Sequence, residues 1–164
     1  MLYHKAYELL RNSDSPKLMP DLCANLGDAY VFDNDLPKAA LWYRKALFIA
    51  DSLQLPKVQN ASLYMGLGRI YLLLEDFEAS LNCYQQTEKS FSDLSLNLQA
   101  YFLNNYGNYY YYTKDYQTSL KKFLMLKKLL EKHDKRETFS MYLCKLNLAD
   151  VYLNLNYLIN VWMK

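Results

Sequence analysis

One glycine-centred pattern recurs along this chain at nearly constant spacing, and it narrows the fold more than any other feature. Leu26-Gly27-Asp28-Ala29-Tyr30, Leu67-Gly68-Arg69-Ile70-Tyr71, Tyr106-Gly107-Asn108-Tyr109-Tyr110 and Leu148-Ala149-Asp150-Val151-Tyr152 align without gaps. Eight residues after each glycine stands an aspartate (Asp35, Asp76, Asp115), and twelve after it a small residue (Ala39, Ser80, Ser119). Sixteen after it stands an aromatic: Tyr43, Tyr84 or Phe123. The three glycines are 41 and 39 residues apart, and Ala149 follows Gly107 by 42. Self-similarity at such a period signals stacked supersecondary units, each unable to bury its apolar face alone.

Each unit reads as a helical hairpin. Cys23, Leu26, Gly27 and Tyr30 fall at i, i+3, i+4 and i+7, one face of a first helix. A glycine inside a helix costs about 1 kcal/mol relative to alanine, so close approach of a second helix is its expected purpose. The small residue twelve positions on is the expected contact. Asp35, Asp76 and Asp115 stand where the second helix needs an N-cap, and Pro37 falls in the first turn, where a missing N–H is harmless. Tyr43 with Ala46, and Tyr84 with Thr87, extend the second helix's buried stripe. With only four glycines and four prolines in 164 residues, an all-β sandwich or barrel lacks turn material.

These residues resemble the tetratricopeptide repeat (TPR), whose pattern is W-x2-L-G-x2-Y followed by A-x3-F. The resemblance implies an all-α, right-handed superhelical solenoid of antiparallel helix pairs. Cys23, Tyr64 and Leu103 replace the tryptophan, Asp51 or Ser92 replaces the closing proline, and the period is near 40 rather than about 34. Longer helices should follow, as in bacterial TPR regulators and kinesin light chains. The expected organisation is one array: 1–18 as a second helix without its first, with Tyr3 and Ala6 in the places of Leu36 and Ala39; full repeats over 19–58, 59–97 and 98–136; and a partial, truncated repeat over 137–164, with a new helix starting at Tyr157. Uncapped ends of such an array invite self-association.

Nothing in the chain has the spacing of a catalytic or metal site. His4 and His133 lie far apart, and Gly66-x-Gly68 sits within a helical stripe that needs no phosphate. No G-x-S-x-G, P-loop, dinucleotide or H-E-x-x-H pattern occurs. Enzymatic activity, metal and cofactor are therefore not expected. Cys23, Cys83 and Cys144 are unpaired and read as small buried thiols. With no signal peptide visible, they favour the cytoplasm, the periplasm being the alternative for a membrane-anchored sensor. Nineteen basic against seventeen acidic residues give +2, too little to select nucleic acid, and no stretch reaches a membrane span's roughly 18 apolar residues. The basic run Lys121 to Arg136 reads as an amphipathic helix with its leucines turned inward.

By resemblance, the first helices line a concave groove that holds a protein or peptide segment and no small-molecule substrate. Carried over, its residues are Asp28 and Phe32; Met65, Arg69 and Leu72; Tyr101, Asn104, Asn108, Tyr111 and Tyr112; and Leu146 and Asp150. Ala24 and Asp28 occupy places where chaperone-binding members carry a carboxylate clamp, so a C-terminal carboxylate is not the expected ligand. Asn104 and Asn108 are four apart, and their amides suit either an extended backbone or an ordinary polar face. Tyr110 is assigned to the buried stripe, and Tyr111 and Tyr112 to the groove. The second functional expectation is the sensor or dimerisation region of a bacterial transcription regulator or sensor kinase, with the output domain outside this chain.

Overall fold

The computed structural model describes residues 5, 7, 8, 16–133 and 138–162, of which 157–162 as backbone only. Among the described residues there are seven α-helices and no strand: α1 (Met19–Phe32), α2 (Leu36–Ser52), α3 (Lys57–Leu73), α4 (Phe77–Glu88), α5 (Leu96–Tyr112), α6 (Tyr116–His133) and α7 (Phe139–Trp162). Short 3-10 turns occupy Pro16–Leu18 and Phe91–Asp93. Two compact units divide the chain, Met1–Asp93 and Leu94–Lys164. In the first, α1 pairs with α2 and α3 with α4, and α2 also packs on α3. In the second, α6 packs between α5 and α7. Tyr3 and Ala6 lie outside the described residues.

Every hairpin is built as the repeat requires. Asp35 accepts from the Lys38 N–H at 3.2 Å, Asp76 from Ala79 at 3.1 Å and Asp115 from Thr118 at 3.0 Å, which caps α2, α4 and α6. The Lys38 ammonium, 2.6 Å from Asp35, also holds that carboxyl below its ordinary range. A Cβ on Gly68 would meet Cys83 Cβ at 3.1 Å, and one on Gly107 would meet Phe123 Cε1 at 2.7 Å, so each glycine admits its own second helix. Where the small residue is serine, its hydroxyl adds a bond: Ser80 Oγ donates to the Gly68 carbonyl at 2.8 Å, and Ser119 Oγ to that of Gly107 at 2.9 Å. Both serines are fully buried, so each bond satisfies a hydroxyl that burial would otherwise penalise.

Tyr43 joins neighbouring hairpins of the first unit. Its ring lies between Gly27 of α1, whose Cβ would come 2.5 Å from Cδ2, and Gly66 of α3, whose Cβ would come 2.5 Å from Cζ. The phenol donates to Asp28 Oδ1 at 2.9 Å, which keeps the polar tip of a buried ring satisfied. Around it Cys23, Ala39, Ala46, Leu63, Leu67 and Ile70 form one buried cluster.

The helices end without glycine. Asn34, Gln54, Glu75 and Lys114 take positive φ of 58°, 50°, 60° and 64°. After α1, Asn34 N–H donates to Val31 O and Asp35 N–H to Tyr30 O; after α3, Glu75 and Asp76 do the same with Leu72 and Tyr71. These paired bonds satisfy the last carbonyls in a left-handed C-terminal cap.

Three expectations need correction. No new helix starts at Tyr157, because α7 runs unbroken to Trp162. Eight residues after Ala149 stands Tyr157 rather than an aspartate, so the capping signal that starts α2, α4 and α6 is missing. In α6, Phe123 and Leu126 are buried but Leu124 is 42% exposed, so its leucines do not all turn inward. In the tyrosine run, Tyr109 is the buried member, while Tyr110 is half-buried and donates to the Tyr106 hydroxyl at 3.1 Å.

Candidate interaction surfaces

The five groove residues expected in the first unit do not share one surface. Asp28 and Arg69, one repeat apart, meet at 3.4 Å, and the same Asp28 oxygen accepts from Tyr43. An ion pair this exposed adds little stability, so what it fixes is the Arg69 head beside Asp28. Phe32 stands at the end of α1 with 93% of its surface exposed, and Leu72 is half-buried. Met65 has no exposed surface and belongs to the core. Its neighbour Gly66 is pressed against Tyr43, which draws that part of α3 inward. Met65 is therefore removed from the expected groove.

In the second unit the two first helices, α5 and α7, meet along a polar seam. Asn147 Nδ2 donates to Asn104 Oδ1 at 3.0 Å, and Asn154 Nδ2 donates to the Tyr111 hydroxyl at 3.2 Å. Both pairs span 43 residues and lie seven apart on each helix, so α5 and α7 run parallel in register. A cleft of about 390 Å³ opens beside the first pair. Leu96, Ala100, Leu126, Leu130 and Leu143 give it apolar walls, and Asn97, Tyr101, Asn104, Thr138 and Ser140 give it polar atoms. A smaller cleft of about 90 Å³ lies between Asn108, Tyr111, Tyr112, Asn147 and Asp150, with Phe123 beneath.

Six expected residues thus line the two clefts: Tyr101 and Asn104 the larger, Asn108, Tyr111, Tyr112 and Asp150 the smaller. Leu146 lines neither cleft and is 60% exposed. Asn104 has its carbonyl committed to Asn147, while Asn108 makes no side-chain hydrogen bond among the described residues. Asn147 and Asn154 escaped the sequence reading. The repeat alignment places Leu146, not Asn147, opposite Asn104, and the usable signal was the seven-residue step from Asn147 to Asn154 that copies Asn104 to Tyr111.

The cysteines are not poised for chemistry. Burial pushes Cys23 and Cys144 up to about 11 and Cys83 up to about 12, so all three stay thiols at neutral pH. The Cys144 thiol donates to the Phe123 carbonyl at 3.4 Å. Among the described residues, no three His, Cys, Asp or Glu side chains gather to hold a metal ion, and no helix is long and apolar enough to cross a membrane. In the basic run, Lys122 lies over the Tyr106 ring at 4.3 Å and Lys127 pairs with Glu131 at 3.7 Å.

A family model described as tetratricopeptide repeat matches residues 61–87, the α3–α4 hairpin. No curated protein sequence matches the chain. Among solved structures, BtubC (BKLC) from P. vanneervenii superposes with a TM-score of 0.84 at 21% identity, covering 94% of this chain and 64% of that one. This chain thus spans just under two thirds of BtubC. A putative kinesin light chain from Podosopora anserina, with nearly identical TPR-like repeats, gives 0.75 at 13% identity over 95% of this chain and 77% of its own. A single-residue variant of that protein gives 0.77 at 13% identity, over 95% and 76%. At these identities the likeness establishes the fold: this chain carries a tetratricopeptide repeat and is an all-α, TPR-like helical repeat protein.

Proposed function

We propose that this TPR-like chain is a non-catalytic interaction scaffold, and that its second unit binds an extended polypeptide segment along the α5–α7 seam. The observation that carries the reading is the pair of clefts on one seam, one apolar with a polar rim and one polar with an uncommitted amide. An aliphatic or aromatic side chain suits the larger cleft, whose volume falls within the range of about 300–1,000 Å³ usual for ligand pockets. Asn108 both donates and accepts, which matches a backbone amide and carbonyl whatever the ligand's sequence. Tyr112, 64% exposed at the rim, adds contact area with a polar tip.

Peptides selected from a random display library on the wild-type chain supply the probe. Asn108→Ala should weaken those peptides roughly two- to tenfold, the worth of about 0.5–1.5 kcal/mol of hydrogen bonding. Leu143→Trp, which fills the larger cleft, should weaken them further. Lys127→Ala with Lys128→Ala on α6 is the control and should change affinity little except at low salt. Loss of binding in the lysine variant, with both cleft variants unaffected, would move the site to the basic helix and end this reading.

A further inference from the structure

The two clefts of the seam differ in charge, and one residue makes the difference. None of the residues lining the larger cleft is charged, and Asp150 is the single charged residue lining the smaller one. The Asp150 side chain makes no hydrogen bond or ion pair among the described residues, and Asn154 bonds only its backbone carbonyl. In the first unit the two places that follow the repeat's glycine hold Asp28 and Arg69, which meet at 3.4 Å and neutralise each other. In the second unit the corresponding places, after Gly107 and Ala149, hold Asn108 and Asp150. Across this seam one carboxylate faces a neutral amide and lacks a counter-charge.

Given peptide binding along the seam, we propose that the smaller cleft takes the cationic head of a lysine or arginine, so that the seam selects segments pairing a basic residue with an apolar one three places away. Tyr111 and Tyr112, whose rings meet edge to face at 5.8 Å, line this cleft beside Asp150. Aromatic rings attract a cation through their quadrupole, which adds to the pull of the carboxylate. The same unit already uses that attraction, with Lys122 over the Tyr106 ring at 4.3 Å. A cleft of about 90 Å³, roughly three times the 30 Å³ of a liquid water, fits an ammonium or guanidinium head. The spacing follows from the helices. Tyr101 and Asn108, Asn104 and Tyr111, and Leu143 and Asp150 each stand seven residues apart, so the smaller cleft repeats the larger one two helical turns on. Seven helical residues span about 10.5 Å, close to the roughly 9.3 Å of one three-residue polyproline II turn, which returns its side chains to the same side.

Peptides selected from the random display library on the wild-type chain should be enriched in Lys or Arg three places from an aliphatic or aromatic residue. Asp150→Asn, nearly isosteric and at an exposed site, should leave the melting temperature unchanged and weaken these peptides about three- to tenfold. Exchanging the peptide's basic residue for norleucine should cost as much on the wild-type chain and nothing further on Asp150→Asn. Selection on Asp150→Lys should turn the preference at that peptide position to Asp or Glu. Peptides that respond to Asn108→Ala or Leu143→Trp, yet bind Asp150→Asn as well as wild type or favour acidic residues, would overturn the cationic subsite while the seam stands. Peptides indifferent to both Asn108→Ala and Leu143→Trp would end the seam reading and the subsite with it.

Discussion

At the scale of single residues, the glycines act by absence of volume, since none has positive φ. Gly27 and Gly66 hold the two sides of the Tyr43 ring, and a methyl group at either would overlap it. Pinned from both sides, with its hydroxyl tied to Asp28, the ring has nowhere to retreat. Gly66→Ala should therefore destabilise the first unit by about 1–3 kcal/mol through overpacking, outweighing the roughly 1 kcal/mol that alanine gains in a helix interior. A chemical-denaturation midpoint equal to or above wild type would show that Tyr43 is free to move. The roles of Gly27, Gly68 and Gly107 were legible because each recurs at a fixed distance from its partner. Gly66 occurs once, so periodicity could not announce it, and its partner Tyr43 comes from a neighbouring hairpin rather than its own.

At the scale of elements, legibility divides between helix starts and helix ends. Asp35, Asp76 and Asp115 announced the starts, since a carboxylate before a helix has one strong local use. The ends carried no glycine, and positive φ at Gln54, Glu75 and Lys114 could not be read from residues that usually avoid it. An L-residue in this conformation costs roughly 1–2 kcal/mol, part of which glycine returns as unfolded-chain entropy. Glu75→Gly and Lys114→Gly, both at exposed sites, should thus each stabilise by a few tenths to about 1 kcal/mol. Asp76→Ala should lose about 0.5–2 kcal/mol from the cap of α4. Parallel thermal melts of the three variants test the pair of signs. If either glycine variant melted below wild type, the left-handed cap would not be the local strain it is described as.

At the scale of the whole molecule, the repeat made the all-α fold readable through the three described hairpins, because each copy repeats the same packing constraint. The interaction surface was less readable. Asn104 and Asn147 meet only because α5 and α7 lie side by side, a relation between copies that no single repeat contains, and Met65 looked like a groove residue until Gly66 drew its turn inward. The buried thiols likewise belong to the molecule rather than to a site: Cys23 and Cys83 lie in the first unit and Cys144 in the second, each set against its hairpin packing. Their pKa values of about 11, 12 and 11 stand above the roughly 8.5 of an unfolded cysteine. Folded, these groups keep protons that the unfolded chain releases, so their contribution is whole below about pH 8.5 and declines as pH rises toward about 11. Buried Tyr109 and half-buried Tyr64, also pushed up by burial, act in the same direction above their ordinary value near 10. Stability should consequently fall between about pH 8.5 and 10.5, and replacing all three cysteines with alanine should flatten that slope while leaving the tyrosine part. Urea midpoints at about pH 7.5, 9 and 10 for both proteins measure it, and an equal slope in the two would mean that the thiols open to solvent before the helices unfold.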